Sequence, residues 1–434
     1  SQTIDLMRKI NIAIIGLGNI GSYLFKYLNE NKKILTEKNN CLPKVKYVSA
    51  RNKKKKRKLK IHKRLWLDNY LDATKQSDVD LIIELIGGAE GPAKKLVFEA
   101  LKNKKHVVTA NKALIAKYGD VLSKIAEKNG VNLEFEAAVC GGVPIIRSIK
   151  EGLIANKISK IYGILNGTSN YILSSMDKKN INFKEVLKDA KKLGYAESNP
   201  SADLNGDDVA SKLKILSSLC FNSLLTNDIY VEGIRDINKT DIDNANNLGY
   251  KIKLIGCAEL INNKIYQRVH PTLIKQDSYV AGIDGVLNAV IIDGRPIGQS
   301  IIQGEGAGPA ATTSALISDI SSILRGNIKF PFSISSAKRK KIKYEKIDER
   351  FFSSYLRFEV EDKPGVLSNI TNIFSKNKVS IKRLVQNPDK NKKSSSIVII
   401  THICKDKYLK KILKETSKKN YIKRKPKLIR IDNN

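Results

Sequence analysis

Residues 11–30 read "NIAIIGLGNIGSYLFKYLNE", and the order of events in this stretch decides the architecture. The apolar run from Ile12 to Ile15 is a buried-strand pattern, Gly16, Gly18 and Gly21 follow as G-x-G-x-x-G, and a helical pattern begins directly after them. The glycine spacing alone is weak; the strand before it and the helix after it are the context the chemistry requires. Gly16 permits the tight turn, Gly18 lets backbone approach a pyrophosphate, and Gly21 lets the helix close on the strand with its N-terminal dipole toward the phosphates. Gly16, Gly18, Asn19, Ile20 and Gly21 are therefore the expected dinucleotide contacts.

Further strand patterns follow at Val45 to Ala50, at Leu81 to Leu85 and in "HVVTANKAL" (106–114), alternating with helical segments. That alternation predicts an α/β fold with a Rossmann-type doubly wound parallel sheet over residues 1–135. A site built for NAD places Asp or Glu at the end of the second strand, on the ribose hydroxyl. Here the chain reads "VSARNKKKKRK" (48–58), so Arg51 and Lys53 suit a 2′-phosphate and NADP is the expected cofactor, with NAD the alternative. From Lys55 onward the lysines read as a solvated, mobile loop.

At 434 residues the chain is too long for one core and predicts several domains. No stretch approaches the ~18 to 20 apolar residues of a membrane span, and no basic-then-apolar leader opens the sequence. A soluble, cytoplasmic protein without a membrane partner is expected. Its five cysteines are dispersed and show neither C-x-x-C nor His-paired spacing, which argues against a disulfide framework or a zinc site. The formal charge of +35 invites a nucleic-acid reading. Apart from clusters at 51–64, 338–343 and 418–430 the basic residues are spread evenly, and the clusters lack the interleaved aromatics on which single-strand binders stack bases. A coding bias that enriches Lys, Ile and Asn together accounts for such a balance, and nucleic acid is not the expected partner.

Residues 197–216, "ESNPSADLNGDDVASKLKIL", raise a different question. With a helix from about Gly206, Asp207, Ser211, Lys214 and Ser218 form one polar stripe that reads as solvent-facing. Asp208 and Lys212 continue into Ile215 and Leu219, beside the apolar stripe Val209, Leu213, Leu216 and Cys220. A charged pair at i, i+4 heading a buried face needs a reason, because ionic groups leaving water cost several kcal/mol unless partnered.

Together with "TANKAL", the segments "EFEAAVCGGVPIIRSI" (134–149), "GILNGTSNYIL" (163–173), "LGYAESNPSADLNGDDVASK" (193–212) and "IIQGEGAGPAATTSALISDI" (301–320) resemble the homoserine dehydrogenase family, in order and over residues 10–330. The family interconverts aspartate 4-semialdehyde and homoserine with NAD(P)H. The resemblance implies a second, α+β catalytic and dimerisation domain at 136–300, with 301–330 returning to complete the nucleotide domain. It implies Lys212 as the catalytic lysine and Lys112 as a second lysine near cofactor and substrate. It further implies Glu197 and Asp208 on the substrate, Asp203 in support, Thr168 and Asn170 lining the site, and Gly306 against the cofactor. Without it, Glu197 and Asp203 read as caps around a proline turn and "NGTSNY" as a turn.

"EFEAAVCGG" sets acids and carbonyls at a glycine-rich turn, the ligand type hard cations prefer. The resemblance implies a monovalent cation such as sodium or potassium there, at Glu136, Val139, Gly141 and Val143. Cys140 replaces the small residue usual at its position, and Asn199 stands where Asp is frequent. A semialdehyde dehydrogenase using Cys140 as nucleophile is one rival reading; a noncatalytic NADP-sensing or nucleic-acid-binding protein is another. Residues 331–350 read as a linker, and 351–434 give a βαββαβ order whose "DKPGVL" resembles an ACT domain. That resemblance implies an amino-acid effector such as threonine, or a module that drives association alone. A homodimer or homotetramer is expected.

Overall fold

The computed structural model describes residues 7–389, 391 and 393–432, so the extreme ends of the expected first and last domains lie outside the described residues. The chain divides into two compact units, one comprising Ser1–Gly167, Ser211–Asn227 and Leu287–Ile342, the other Thr168–Ala210, Asp228–Val286 and Lys343–Asn434. The expected nucleotide domain and its completion by 301–330 fall in the first unit. The expected catalytic domain is shared between the two.

In the first unit, Lys9–Ile15 lies between Leu42–Ser49 and Leu81–Glu84, with His106–Thr109 and Leu133–Glu134 beyond, and the pairs are parallel. Ile12, Ala13, Ile14 and Ile15 are at most 1 % exposed, which is why this strand carries no apolar–polar alternation: both of its faces are covered. Helix Pro309–Leu324 supplies part of that cover, its Leu316, Ile320 and Ile323 joining Leu24, Phe25 and Leu28 of helix Asn19–Glu30 in one core. The late segment thus closes the early sheet. Because the order of strands reverses at Lys9–Ile15, the crevice for a ligand opens at its carboxyl end. A second sheet pairs Lys157–Ile164 with Leu287–Arg295, and that strand with Gly298–Glu305.

The second unit is built on a long hairpin, Tyr250–Ile261 and Lys264–Lys275, turned at Asn262 and Asn263 with φ of 50° and 60°, values the asparagine side chain tolerates. The βαββαβ order of the tail is present: Phe351–Glu361, helix Val366–Lys376, Ile381–Asp389, Ser394–Thr401, helix Asp406–Ser417 and Lys427–Ile431. Ile370 and Phe374 from one helix and Leu409 and Ile412 from the other cover Leu356, Phe358 and Ile397 of the sheet. The tail's last strand also runs parallel to the hairpin, Arg430 opposite Thr272, so tail and hairpin share one sheet. The expected linker contributes as well, with Lys343–Glu345 pairing against 264–266.

Charged side chains fasten this junction. Arg430, 2 % exposed, forks onto the buried Asp406 carboxylate at 2.8 Å through Nε and at 2.8 Å through Nη2, and reaches Glu232 at 3.1 Å. Lys427 meets the same Glu232 at 3.2 Å. Removing one partner of such a group leaves an uncompensated buried charge. Arg430→Met is therefore expected to lower unfolding stability by about 3 to 5 kcal/mol; a loss under about 1 kcal/mol in urea denaturation would mean that Asp406 finds other compensation.

Candidate active site

The dinucleotide turn is shaped by backbone contact. Gly16 has φ +109°, and a Cβ there would lie 2.5 Å from the Leu85 carbonyl oxygen; one on Gly21 would lie 2.0 Å from the Gly16 oxygen. Gly18 has open space around its α-carbon and precedes helix Asn19–Glu30, whose first turn has no side-chain cap. The crevice is a cavity of about 880 Å³, floored by Gly16, Leu17 and Gly18 and walled by Arg51, Asn52 and Lys55 on one side and Leu85, Ile86 and Gly87 on another. Lys53 turns toward the Trp66 ring, 5.6 Å from its centre, and toward Asp68 at 3.8 Å. Lys55, read from sequence as solvated loop, lines the cavity instead.

The far wall is held by a carboxylate that sequence reading passed over. Glu84 ends an apolar strand and is fully buried; one oxygen accepts the N–H groups of Ile86 at 2.8 Å and Gly87 at 3.0 Å, the other the Thr109 hydroxyl at 2.8 Å. Asn111 caps helix Lys112–Asn129 through Leu114 N–H and donates to the Gly88 carbonyl at 2.7 Å. These bonds stitch "ELIGG" to "TANK" and set half-buried Lys112 on the first position of its helix. A lone Glu in an apolar strand was the available signal.

Helix Asp207–Phe221 delivers Lys212, which is 9 % exposed and donates to the Leu165 carbonyl oxygen at 2.7 Å. Asn288 donates to that oxygen too, at 3.4 Å, and a Cβ on Gly306 would lie 2.0 Å from the Asn288 amide. Gly141 in turn approaches the Gly306 oxygen so closely that a Cβ would lie 2.6 Å away, and Gly142 N–H donates to Glu305 O at 2.8 Å. Lys212, Gly306 and Gly141, all implied by the resemblance, are thus linked through Leu165 and Asn288. The stripe expected to face water does so only in part: Ser218 is fully buried and accepts from Arg339 Nη2 at 2.5 Å.

Glu136 is 1 % exposed and caps the turn that follows, accepting from Ile146 N–H at 2.9 Å and Arg147 N–H at 3.1 Å. Its own N–H donates to Asp319, which also receives Arg147 at 2.6 Å. Desolvation lifts the Glu136 carboxyl to about 7 against the opposing N–H bonds, and burial lifts Asp319 well above its ordinary range. Val143 O already accepts Ile145 N–H at 2.7 Å, so of the expected cation ligands Glu136 and Val143 also serve the fold. Cys140 lies in this turn at φ +57° and 1 % exposure.

The remaining candidates belong to the second unit. Asp208 is 6 % exposed, Asp203 half-buried and Glu197 exposed. Thr168 donates to Tyr195 O at 2.5 Å, which ties the first turn of helix Gly167–Lys179 to the segment just before Glu197. Asn170 serves the interior of this unit: its amide donates to Ile283 O at 3.0 Å and Gly285 O at 3.1 Å, and its oxygen accepts buried Lys253 at 3.2 Å.

Family models for the homoserine dehydrogenase NAD-binding domain, homoserine dehydrogenase and the ACT domain match residues 16–136, 144–321 and 354–419. A homoserine dehydrogenase of Neisseria gonorrhoeae is 37 % identical over 411 residues, 93 % of this chain and 94 % of that one. One of Bacillus subtilis is 37 % identical over 402 residues, 91 % of this chain and 92 % of its own. The crystal structure of a homoserine dehydrogenase from Thiobacillus denitrificans superposes with a TM-score of 0.92 at 36 % identity, covering 98 % of this chain and 99 % of that one. These likenesses support neither the Cys140 nucleophile nor a noncatalytic role.

The raised Glu136 carboxyl has a testable consequence. Its folded value, about 7, exceeds the ordinary 4.5, so folding favours the protonated form. The associated stability is full below about pH 4.5 and is lost as pH rises through about 7, a span worth roughly 3 kcal/mol. Asp319 acts in the same direction. Glu136→Gln, which stays neutral, is expected to flatten unfolding free energy between pH 4.5 and 7 and to add a pH-independent offset for the lost acceptor. An unchanged slope would assign the dependence elsewhere.

Proposed function

The chain belongs to the homoserine dehydrogenase family and is an oxidoreductase with an ACT domain, and from this we propose how its own residues carry the reaction. It interconverts L-aspartate 4-semialdehyde and L-homoserine with NADP(H), within threonine, methionine and isoleucine biosynthesis in the cytoplasm. The observation that carries the reading is the buried Lys212 ammonium, fixed at 2.7 Å on a main-chain carbonyl. When bound, the reduced nicotinamide supplies the hydride. Lys212 gives the proton that the aldehyde oxygen needs as it becomes an alcohol, and takes one back in the reverse direction. The Leu165 carbonyl orients the ammonium. Lys112 supports the developing negative charge from its helix start. The substrate's α-ammonium is received by Glu197 and Asp208, with Asp203 and Thr168 in support.

Arg51 beside the crevice favours NADP over NAD. Donor type fits the turn to a hard monovalent cation: the main-chain oxygens of Val139, Gly141 and Val143 and the Glu136 carboxylate would hold it, carbonyl and carboxylate oxygens having lone pairs beyond those used in the fold. Sodium or potassium chloride, compared with choline chloride at equal ionic strength, is then expected to raise unfolding stability at pH 8; equal stability in the three salts would remove the cation. The assembly is a homodimer or homotetramer, and the ACT domain takes an amino-acid effector, threonine being the first to test.

The decisive experiment follows nicotinamide absorbance with homoserine and NADP, and again with NAD. Lys212→Met is expected to lower kcat by about 10²- to 10⁴-fold with little change in the KM for NADP. Retention of kcat in this variant would defeat the assigned role. Among the described residues no helix is long and apolar enough to cross a membrane.

A further inference from the structure

We propose that Arg57 is a positioning residue for cofactor selection, clipping the basic loop at 51–64 to the dinucleotide turn so that Arg51 and Lys55 face a 2′-phosphate. This rests on the NADP preference proposed above and assigns the device that enforces it. The loop, "RNKKKKRKLKIHKR", contains no acidic residue. Left to itself, such a run repels itself and extends into solvent.

Arg57 supplies what the absent acids cannot. Its Nε donates to Leu17 O at 3.0 Å, inside the glycine turn. Nη2 donates to Asn52 O at 2.9 Å, and Nη1 to Lys55 O at 3.3 Å and, more weakly, to Lys53 O at 3.4 Å. One planar group, itself lining the cavity, thereby joins the floor at Leu17 to the wall at Asn52 and Lys55, a geometry that a lysine ammonium on a flexible stem does not reproduce. With its donors on the main chain, Arg57 holds the wall while exposed Arg51 and Lys55 line the same cavity.

Trp66 backs the clip. The Arg57 guanidinium lies 5.8 Å from the centre of its ring and the Lys53 ammonium 5.6 Å from it. The indole is itself anchored: Trp66 bridges Val48 on the second strand, Leu67 N–H donates to Val48 O at 2.9 Å, and the ring packs on the main core of the first unit. Loop, ring and strand are thus fixed to the element whose end carries Arg51.

The chain has a single tryptophan, so its emission reports on this clip without labelling. The test uses the full-length protein, with NADPH and NADH as probes. Arg57→Ala is expected to shift Trp66 emission to the red and increase its quenching by acrylamide in the free protein. It is also expected to weaken NADPH binding roughly tenfold while changing NADH binding much less. Arg57→Lys, which keeps the charge but not the fork, should resemble Arg57→Ala; if it restores wild-type selectivity, charge alone suffices and the clip is refuted. Equal weakening of both cofactors would assign Arg57 to the glycine turn only and overturn the proposal. So would unchanged emission with unchanged selectivity. A wild-type protein that binds NADH as tightly as NADPH would defeat the underlying preference, and shows itself without any variant.

Discussion

The bond from the Lys212 ammonium to the Leu165 carbonyl oxygen, 2.7 Å long and shielded from bulk water, is the constraint around which the first unit is arranged. Burying an ammonium requires hydrogen-bond acceptors, and the Leu165 main-chain oxygen is one of them. It also fixes what else must be nearby: Asn288 shares the acceptor, and Gly306 must lack a side chain because Asn288 occupies its place. Gly141 and Gly142 then lie backbone to backbone against 305–306. Each of these glycines makes room for the next contact inward.

What could be read in advance follows from how local each signal is. The glycine turn was legible because strand, turn and helix occur within twenty letters and each glycine answers one steric demand. Lys212 was legible by helical count, since a charge on an apolar stripe is visible without coordinates. Leu165 was not, because its contribution is a carbonyl that every residue possesses. Asn288 could have been noticed as one amide in "LNAVII". Arg57 was hidden among like neighbours, where composition says solvent and only geometry separates the clipping arginine from the lysines around it. Ser218 fell on a polar stripe yet is buried, because Arg339, remote in sequence, comes to meet it. Glu136 was picked out for its chemistry, while its capping of Ile146 and Arg147 depends on a turn that the sequence leaves open.

The two treatments of charge in this chain differ in kind. On the surface a large excess of lysine is tolerated, and at Arg57 main-chain oxygens order part of the basic loop. In the interior several cations are matched with carboxylates: Arg430 with Asp406 and Glu232, Arg268 and Arg350 with Glu259, Arg357 with Asp241. A few of the scarce acids are placed where solvent cannot screen them. The overall charge says little about the fold, while the placement of individual acids says a great deal.

The parallel pairing of Lys427–Ile431 with Lys264–Lys275 bears on how such a chain can change over evolutionary time. A sensor hung on a tether can be exchanged as a cassette, its host indifferent to the replacement. Here a donor module would have to bring a final strand of matching register and an arginine at the position of Arg430, or leave a raw β-edge exposed to self-association. Change in the resident module should therefore proceed by point substitution, and natural deletions of it should coincide with remodelling of the hairpin.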